Sequence, residues 1–599
     1  MTGWKVLKMR ILKWIPVAIF TAVLAAAHLA GAAQTPGATD EASRKAAADT
    51  KEHLSRLQKL GFSGAVLVAV AGEPVLAQGY GLADRERAIP WTPGTVSCVG
   101  SITKQFTAAA ILKLEEEGRL RVTDPITRYF ADVPADKSAI TLHQLLTHTS
   151  GIEDIEGRDD YDAIGREEFV RLAMTQPLGS PPGARFSYSN AGYSLLGAII
   201  EKLTGGPYEQ YLRRTFFLPL GMYETGYILP AWGEARMAQG YRGGELWGTV
   251  LGRPLDADGP YWVLRANGGI HSTSYDMLRW ARALMDGRVL TPESLAKLWA
   301  PHVPEGGDSF YGYGWSVTTL PGDVKVITHN GGNGIFFADF ALVPKAGLVI
   351  FLQTNVVADF PGAQELLQDV GSRFRAGRPL PELPQVVELA APLLAAFEGS
   401  YRLEGGKDSF RVAREGKELV VEPEGPGAFS LLHSVQPLDP KRRAELDRIM
   451  DKAMTACRAG DFGPLRAAYG GKVTLDLLKS RWRELVLERE KEWGPLRGHE
   501  VLGTARTAER DETVVRLVFE KGTMERTYVW SFDEKPLVRG VSARGLKPRL
   551  RFLPVSETEF ASWDGGIRPS KPLKFEKQPD GRIRLRLGTG GLLAEAMKD

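Results

Sequence analysis

The 599-residue sequence predicts an α+β protein in two parts. The first is an antiparallel sheet flanked by helices, with an all-helical subdomain inserted between its early and late strands. The second is a β-barrel that carries an α+β insert. Three observations lead there. Alternating β-prone residues stand near both ends of the first 375 residues, with helix-periodic sequence between them. A proline-spaced stretch, Gly377-Arg378-Pro379-Leu380-Pro381-Glu382-Leu383-Pro384, reads as a stiff connector closing that part. Beyond it, short alternating strands occur twice, on either side of amphipathic helix.

At the amino terminus, Lys5, Lys8, Arg10 and Lys13 precede an apolar run from Trp14 to Ala30, followed by Ala30-Gly31-Ala32. Residues 1–32 therefore read as a secretory signal peptide with a small-residue cleavage site, and the mature protein is expected to be exported, periplasmic or secreted. An uncleaved leader would instead anchor the chain, and this is the only membrane contact the sequence implies. The leader carries four positive residues and no negative one, so its removal takes the formal net charge from +3 to −1. A near-neutral mature chain without a basic stripe gives no electrostatic case for a nucleic-acid partner. Cys98 and Cys457 are too few for a disulfide framework, and Cys98 reads as a small buried hydrophobe.

Next come a helix over Glu41 to Leu60, a strand over Phe62 to Val70, and a turn at Ala71-Gly72-Glu73-Pro74 into a second strand. Helices follow at Gln105 to Glu117, Ala191 to Leu203 and Tyr275 to Met285, and strands resume from Gly312 to Asn355. After the connector, assigned to 376–392, Phe397 to Tyr401, Phe410 to Arg414 and Leu419 to Glu422 alternate like strands, as do Leu550 to Phe560 and Leu573 to Leu587. Between these lies a helix with Leu446, Ile449, Met450, Ala453, Met454 and Cys457 on one face. A second helix follows near Leu475 to Trp482, then strands from His499 to Ser531. The expected division is a first domain over 41–375, a discontinuous barrel over 393–435 and 546–599, and an insert over 436–545, whose ends must emerge close together. The charge run Arg481 to Lys491 reads as a solvated helix face.

Chemistry concentrates in three islands: Ser101-Ile102-Thr103-Lys104, Tyr188-Ser189-Asn190 and His329-Asn330-Gly331-Gly332. A hydroxyl and an amine three residues apart share one face of a helix, so Lys104 can reach Ser101. A helix starting at Ser101 would also direct its unpaired N–H groups toward the hydroxyl. A serine is a weak nucleophile near neutral pH and needs a base, for which Lys104 and Tyr188 are both candidates. Tyr188 and Asn190, two residues apart in extended chain, would point the same way, as a proton shuttle beside an anchor for a substrate amide. The third island reads as the end of an apolar strand, Val324 to Thr328. Its glycines, Gly331 among them, would let a substrate approach, and its N–H groups could hold an oxyanion.

Each piece alone has a plainer explanation. Ser101 could be an ordinary helix cap, Tyr188 a core tyrosine and His329 a strand-end histidine. A second Ser-x-x-Lys, Ser294 to Lys297, sits behind Thr291-Pro292-Glu293 and reads as a capped helix start. His143 and His148 form no zinc pattern, and the sequence calls for neither a metal nor a cofactor. What separates the three islands from coincidence is their occurrence together and in order.

The chain resembles the serine β-lactamase and penicillin-binding superfamily, in its class C β-lactamase-related branch of esterases and D-amino-acid peptidases. Further stretches carry the likeness: Leu142-His143-Gln144-Leu145-Leu146-Thr147-His148-Thr149-Ser150-Gly151, Tyr188-Ser189-Asn190-Ala191-Gly192-Tyr193, Pro219-Leu220-Gly221-Met222, Asn267-Gly268-Gly269-Ile270 and Tyr311-Gly312-Tyr313-Gly314-Trp315. The resemblance spans about residues 55 to 375. It implies a β-lactamase-like fold, Ser101 as nucleophile, Lys104 and Tyr188 as the proton-transfer pair, Asn190 as a substrate contact, and an oxyanion hole from the N–H groups of Ser101 and Gly332. The flanking barrel resembles lipocalin-like domains attached to some D-aminopeptidase relatives, and the insert a cone-shaped, cystatin-like fold.

One departure bears on substrate. Where β-lactamases and carboxypeptidases of this superfamily carry Lys-Thr-Gly, this chain has His329-Asn330-Gly331, replacing a fixed cation that suits a carboxylate. The expectation is therefore an exported serine hydrolase acting through an acyl-enzyme on small esters, D-amino-acid peptides or related amides. A β-lactamase or D-Ala-D-Ala carboxypeptidase is the alternative within the class. A non-catalytic protein that binds penicillin or peptidoglycan is the alternative outside it. The expected partner is a small-molecule or peptide substrate, with cell-wall fragments a candidate for the carboxy-terminal half.

Overall fold

A computed structural model of the chain describes residues 41–599 apart from 157, 243, 361, 435, 437, 472, 508–509, 534, 543–545, 563–571, 590–591 and 599. The expected signal peptide, 1–32, lies outside the described residues. Among the described residues no helix is long and apolar enough to cross a membrane. The chain divides into two compact units, Met1–Pro381 and Glu382–Asp599.

The first unit is built on an eight-stranded antiparallel sheet in the spatial order Val303–Gly306, Ser309–Tyr311, Ser316–Leu320, Val324–Gly332, Phe337–Val343, Leu348–Thr354, Gly64–Val70 and Glu73–Tyr80. The amino-terminal hairpin is thereby joined to the late strands, with Gly64 opposite Thr354 and Val68 opposite Ile350. Gly64–Val70 and Leu348–Thr354 are interior strands covered on both faces, which is why their sequences, GAVLVAV and LVIFLQT, run nearly without polar residues. Helices Glu41–Lys59 and Ala363–Ala376 pack on one face. Leu67, Ala69, Val349 and Phe351 on the other face share one apolar core with Phe106, Ala110 and Trp280 from the helical part.

Helix Thr103–Glu116 lies inside that core, with every residue from Thr103 to Leu112 buried. Its Thr-Ala-Ala-Ala-Ile-Leu stretch presents small or apolar groups all round, as a fully enclosed helix requires. The α-helix does not begin at Ser101, as the sequence led us to expect. Gly100–Ile102 forms a 3-10 turn first, entered through Gly100 at φ +53°, and the α-helix starts at Thr103. The third island also differs. The strand continues through the glycines to Gly332, with Gly331 opposite Ala338 and Gly332 opposite Phe337. The second Ser-x-x-Lys is the capped helix start its sequence indicated: Thr291 caps Pro292–Leu298 by accepting from the Ser294 N–H.

In the second unit, Gly399–Leu403, Ser409–Glu415, Glu418–Glu424, Leu550–Pro554, Glu559–Ser562, Pro572–Lys577, Ile583–Thr589 and Leu592–Lys598 form a closed antiparallel barrel. Tyr401 paired with Lys598 closes it. Tyr401, Phe410, Phe552, Phe560 and Phe575 fill its interior. Between Glu424 and Leu550 the chain leaves the barrel for four helices and a four-stranded antiparallel sheet, Leu496–Arg506, Asp511–Phe519, Thr523–Trp530 and Val538–Ser542. The apolar face of Pro440–Arg458 packs there, with Leu446, Met450 and Met454 against Val515, Tyr528 and Trp530. The following helix, Leu475–Trp493, runs eleven residues past its apolar start. Its Arg/Glu/Lys-rich second half is made of strong helix formers, and Gly494 at φ +75° stops it.

Candidate active site

The three islands converge on one point. Lys104 Nζ lies 3.1 Å from Ser101 Oγ, 2.8 Å from Asn190 Oδ1 and 2.7 Å from the Asn267 carbonyl oxygen. The first contact follows from the three-residue spacing. The second comes from helix Asn190–Thr204, which Ser189 caps by accepting from the Gly192 N–H. The third comes from the loop before His271–Ser272, where the Asn267 side chain donates to Ser194 Oγ and to the Val263 carbonyl, both at 2.8 Å. Ser101 and Lys104 are both buried, at 8% and 0% exposure, so the amine and the hydroxyl meet away from bulk water.

Burial governs the electrostatics. It pulls the Lys104 amine from its ordinary 10.5 down to about 7, against the opposing charges of Asp154 and Asp160. A lysine so placed is substantially neutral near pH 7 and can accept a proton. Tyr188 lies half-buried beside this amine, its ring centroid 4.8 Å from Lys104 Nζ and its hydroxyl enclosed. Its hydroxyl makes no full hydrogen bond among the described residues, although it faces Ser101 closely enough for the serine to favour the phenolate. Burial outweighs that help and holds the phenol well above its ordinary range.

His329 faces the same cluster and is neutral. Its Nδ1 must donate to the Asn330 carbonyl at 2.6 Å, since a carbonyl only accepts, which leaves Nε2 to accept from the Tyr311 hydroxyl at 3.0 Å. Burial first, then the nearby Lys104 charge, brings its pKa down to about 3. His148 lies against Tyr188 with ring centroids 4.2 Å apart and planes tilted by 32°, accepts the Ser189 N–H on Nδ1 at 3.0 Å, and is held well below its ordinary pKa by burial, Lys104 and His329. It sits just beyond helix Leu142–Leu146 at φ +57°. His143 lies within that helix and pairs through Nδ1 with the Tyr313 hydroxyl at 2.7 Å.

The glycines serve the protein's own backbone. A Cβ on Gly331 would fall 2.2 Å from the Val99 carbonyl oxygen and 2.4 Å from the Ser101 nitrogen, and one on Gly100 would fall 2.4 Å from the Gly332 nitrogen. Strand Val324–Gly332 and the turn Gly100–Ile102 therefore press together with no room for side chains. This brings the amide nitrogens of Ser101 and Gly332 to the same seam.

Residues 51–370 match the family described as Beta-lactamase, more than half of the chain. The chain belongs to the beta-lactamase family. It is 36% identical over 262 residues to PbpX of Bacillus subtilis (strain 168), a penicillin-binding protein by name; the match covers 44% of this chain and 63% of that relative. Penicillin-binding protein 4* of the same organism is 27% identical over 411 residues, covering 64% of this chain and 90% of its own. Among solved structures, the octameric penicillin-binding protein homologue from Pyrococcus abyssi aligns with 92% of this chain and 99% of its own at 20% identity and a TM-score of 0.51, a likeness of fold.

Two residues that touch this cluster escaped the sequence reading. Asp154 accepts the Asn190 N–H at 2.7 Å and the Ala191 N–H at 3.2 Å, and its other oxygen lies 3.4 Å from Asn190 Nδ2. Nothing marks it among the acidic residues of its loop, because it acts through space on a helix 36 residues away. Asn267 was visible as part of a family landmark, but the part that matters is its backbone carbonyl, to which sequence gives no clue.

Proposed function

We propose that this chain is an exported serine hydrolase that works through an acyl-enzyme on Ser101, with esterase or peptidase/amidase activity on small esters, D-amino-acid peptides or related amides. The observation that carries this reading is the contact of a buried amine, brought to about 7, with the Ser101 hydroxyl. Nothing in ligand binding alone requires a base against that hydroxyl.

In the proposed cycle Lys104 takes the Ser101 proton as Oγ bonds to the acyl carbon. The resulting oxyanion is held by the N–H groups of Ser101 and Gly332. Tyr188 gives its phenolic proton to the departing alcohol or amine as the bond to carbon breaks and takes one back from the Lys104 ammonium, which returns the amine to its neutral form. Water then repeats the sequence on the acyl-enzyme, releasing the acid and restoring the Ser101 hydroxyl. Asn190, whose Nδ2 carries a second hydrogen, would hold the substrate's amide oxygen, with Gly331 and His329 bordering the acyl group.

Relatives named as penicillin-binding proteins argue for acyl donors of that general kind. The neutral His329 argues against those recognised through a carboxylate, since near pH 7 it offers no charge to pair with one. The test is labelling by a serine-directed fluorophosphonate, together with kinetics on chromogenic esters, D-amino-acid anilides and a chromogenic cephalosporin. We expect labelling that disappears in Ser101→Ala and turnover of ester or anilide above cephalosporin. Labelling that persists in Ser101→Ala would remove the hydrolase reading, and a strong cephalosporin preference would remove the substrate ranking.

A further inference from the structure

We propose that Asp154 is a positioning residue of the acyl-transfer site: it fixes the Asn190 side-chain amide with its oxygen toward Lys104, and so aims the lysine lone pair at Ser101 Oγ. The inference rests on the reading of Ser101 and Lys104 as nucleophile and base.

The argument is one of donors and acceptors. A neutral lysine amine has two N–H bonds and one lone pair. Among the described residues three groups lie within hydrogen-bond distance of Nζ, and two of them, the Asn267 carbonyl and Asn190 Oδ1, can only accept. They take both N–H bonds. The lone pair is left for the third group, the Ser101 hydroxyl, which is the direction a general base needs. Were the Asn190 amide turned over, its Nδ2 would offer an N–H to Lys104 and compete with Ser101 for the lone pair.

Asp154 decides between the two orientations. Its Oδ1 is held by the Asn190 and Ala191 N–H groups, which pins the carboxylate on the first turn of helix Asn190–Thr204. Its Oδ2 then faces the Asn190 amide. A carboxylate has no hydrogen to give, so only Nδ2 is welcome opposite it, and Oδ1 must turn to Lys104. The same negative charge raises the Lys104 pKa against burial. The other groups facing Lys104 are the Asp160 carboxylate, the neutral rings of His148 and His329, and the aromatic faces of Tyr188 and Tyr193. Asp160 also favours the ammonium and the two imidazoles respond to it, while Asp154 is the carboxylate that accepts the Asn190 N–H and faces its side-chain amide.

Asp154→Asn is the informative change. Its remaining oxygen still accepts the two backbone N–H groups, so the helix start is kept, while its new amide confronts Nδ2 with a donor. A second variant, Asp154→Asn with Asn190→Asp, restores donor against acceptor and places the charge directly on Lys104. The readouts are the Lys104 titration, followed by NMR of ε-13C-lysine protein and assigned with Lys104→Met, and the pH dependence of Ser101 phosphonylation. Asp154→Asn is expected to lower the Lys104 midpoint by about half a pH unit or more and to cut the plateau rate about tenfold or more. In the double variant the midpoint should rise above that of the unaltered protein.

A Lys104 midpoint in folded Asp154→Asn that coincides with that of the unaltered protein overturns the proposal. Should the single variant not fold, a midpoint in the double variant at or below the unaltered one does the same. If instead Ser101 of the unaltered protein fails to react at all, the hydrolase reading falls, while the two midpoints still judge the role of Asp154.

Discussion

If Lys104 is the base that activates Ser101, its titration must appear in the rate. Burial takes the amine from 10.5 to about 7. At about 1.4 kcal/mol per pH unit, this amounts to roughly 5 kcal/mol lost by the ammonium form relative to the neutral one. At pH 7 about half of the molecules then carry a neutral Lys104, against about one in 3,000 for a lysine in water. The kcat/KM profile on a chromogenic ester should therefore fall on the acid side with a midpoint near 7 and level off by about pH 8. Few other groups in the cluster could mimic that limb. His329 has its pKa at about 3, His148 is also held far down, and the Tyr188 phenol is held far up. A profile flat from pH 5 to 9, or a midpoint near 10, would refute the assignment.

The same shift has a signature in stability. Because the folded pKa lies below the unfolded one, the unfolded chain binds the extra proton between about pH 7 and 10.5, and Lys104 makes stability rise with pH across that window. Lys104→Met removes this dependence. The methionine leaves Asn190 Oδ1 and the Asn267 carbonyl without their donor, a cost that does not change with pH. The stability of the variant relative to the unaltered protein should thus be most favourable below pH 7 and decline by up to about 5 kcal/mol toward pH 10. Denaturant melts at several pH values read that difference, and one constant across the range would contradict a buried, depressed lysine.

Two further substitutions separate chemistry from packing. Tyr188→Phe should cost about 100-fold or more in turnover, yet leave the melting temperature unchanged or slightly raised, because the lost hydroxyl is buried without a full hydrogen bond; a normal rate would exclude Tyr188 from proton transfer. Gly331→Ala drives a methyl group into the Val99 carbonyl and the Ser101 nitrogen. It should destabilise by about 2 kcal/mol or more and slow Ser101 phosphonylation about 100-fold as the nucleophile turn shifts; an unaffected melting curve and labelling rate would show that the seam is looser than the structure has it.

Much of this architecture was legible because its signals are local or periodic. The β-prone run from Phe62 to Val70 reads as a strand, and the apolar face from Leu446 to Cys457 as a helix laid on a core. The Ser101–Lys104 contact is readable for the same reason, since its geometry is set by a spacing of three residues. What the sequence withheld is whatever depends on distant chain. The expectation of an α-helix starting at Ser101 failed because the close approach of Gly331 and Gly332 forces Gly100 to φ +53° and tightens the next residues into a 3-10 turn.

Gly331 shows most clearly why a residue type underdetermines its role. A glycine beside a candidate active site reads as space left for a substrate, yet here the space along its Cβ direction is already taken by the backbone from Val99 to Ser101. Asp154 and Asn267 make the complementary point. One acts through a carboxylate on a neighbouring helix start and the other through a carbonyl any residue would possess, so composition and spacing give no hold on either. The chemistry of such a site is therefore announced by the residues that react. Its tuning lies with those that hold them: a carboxylate that orients an amide, two carbonyls that occupy the N–H bonds of an amine, and a core that keeps water from that amine. Only the folded chain brings these together.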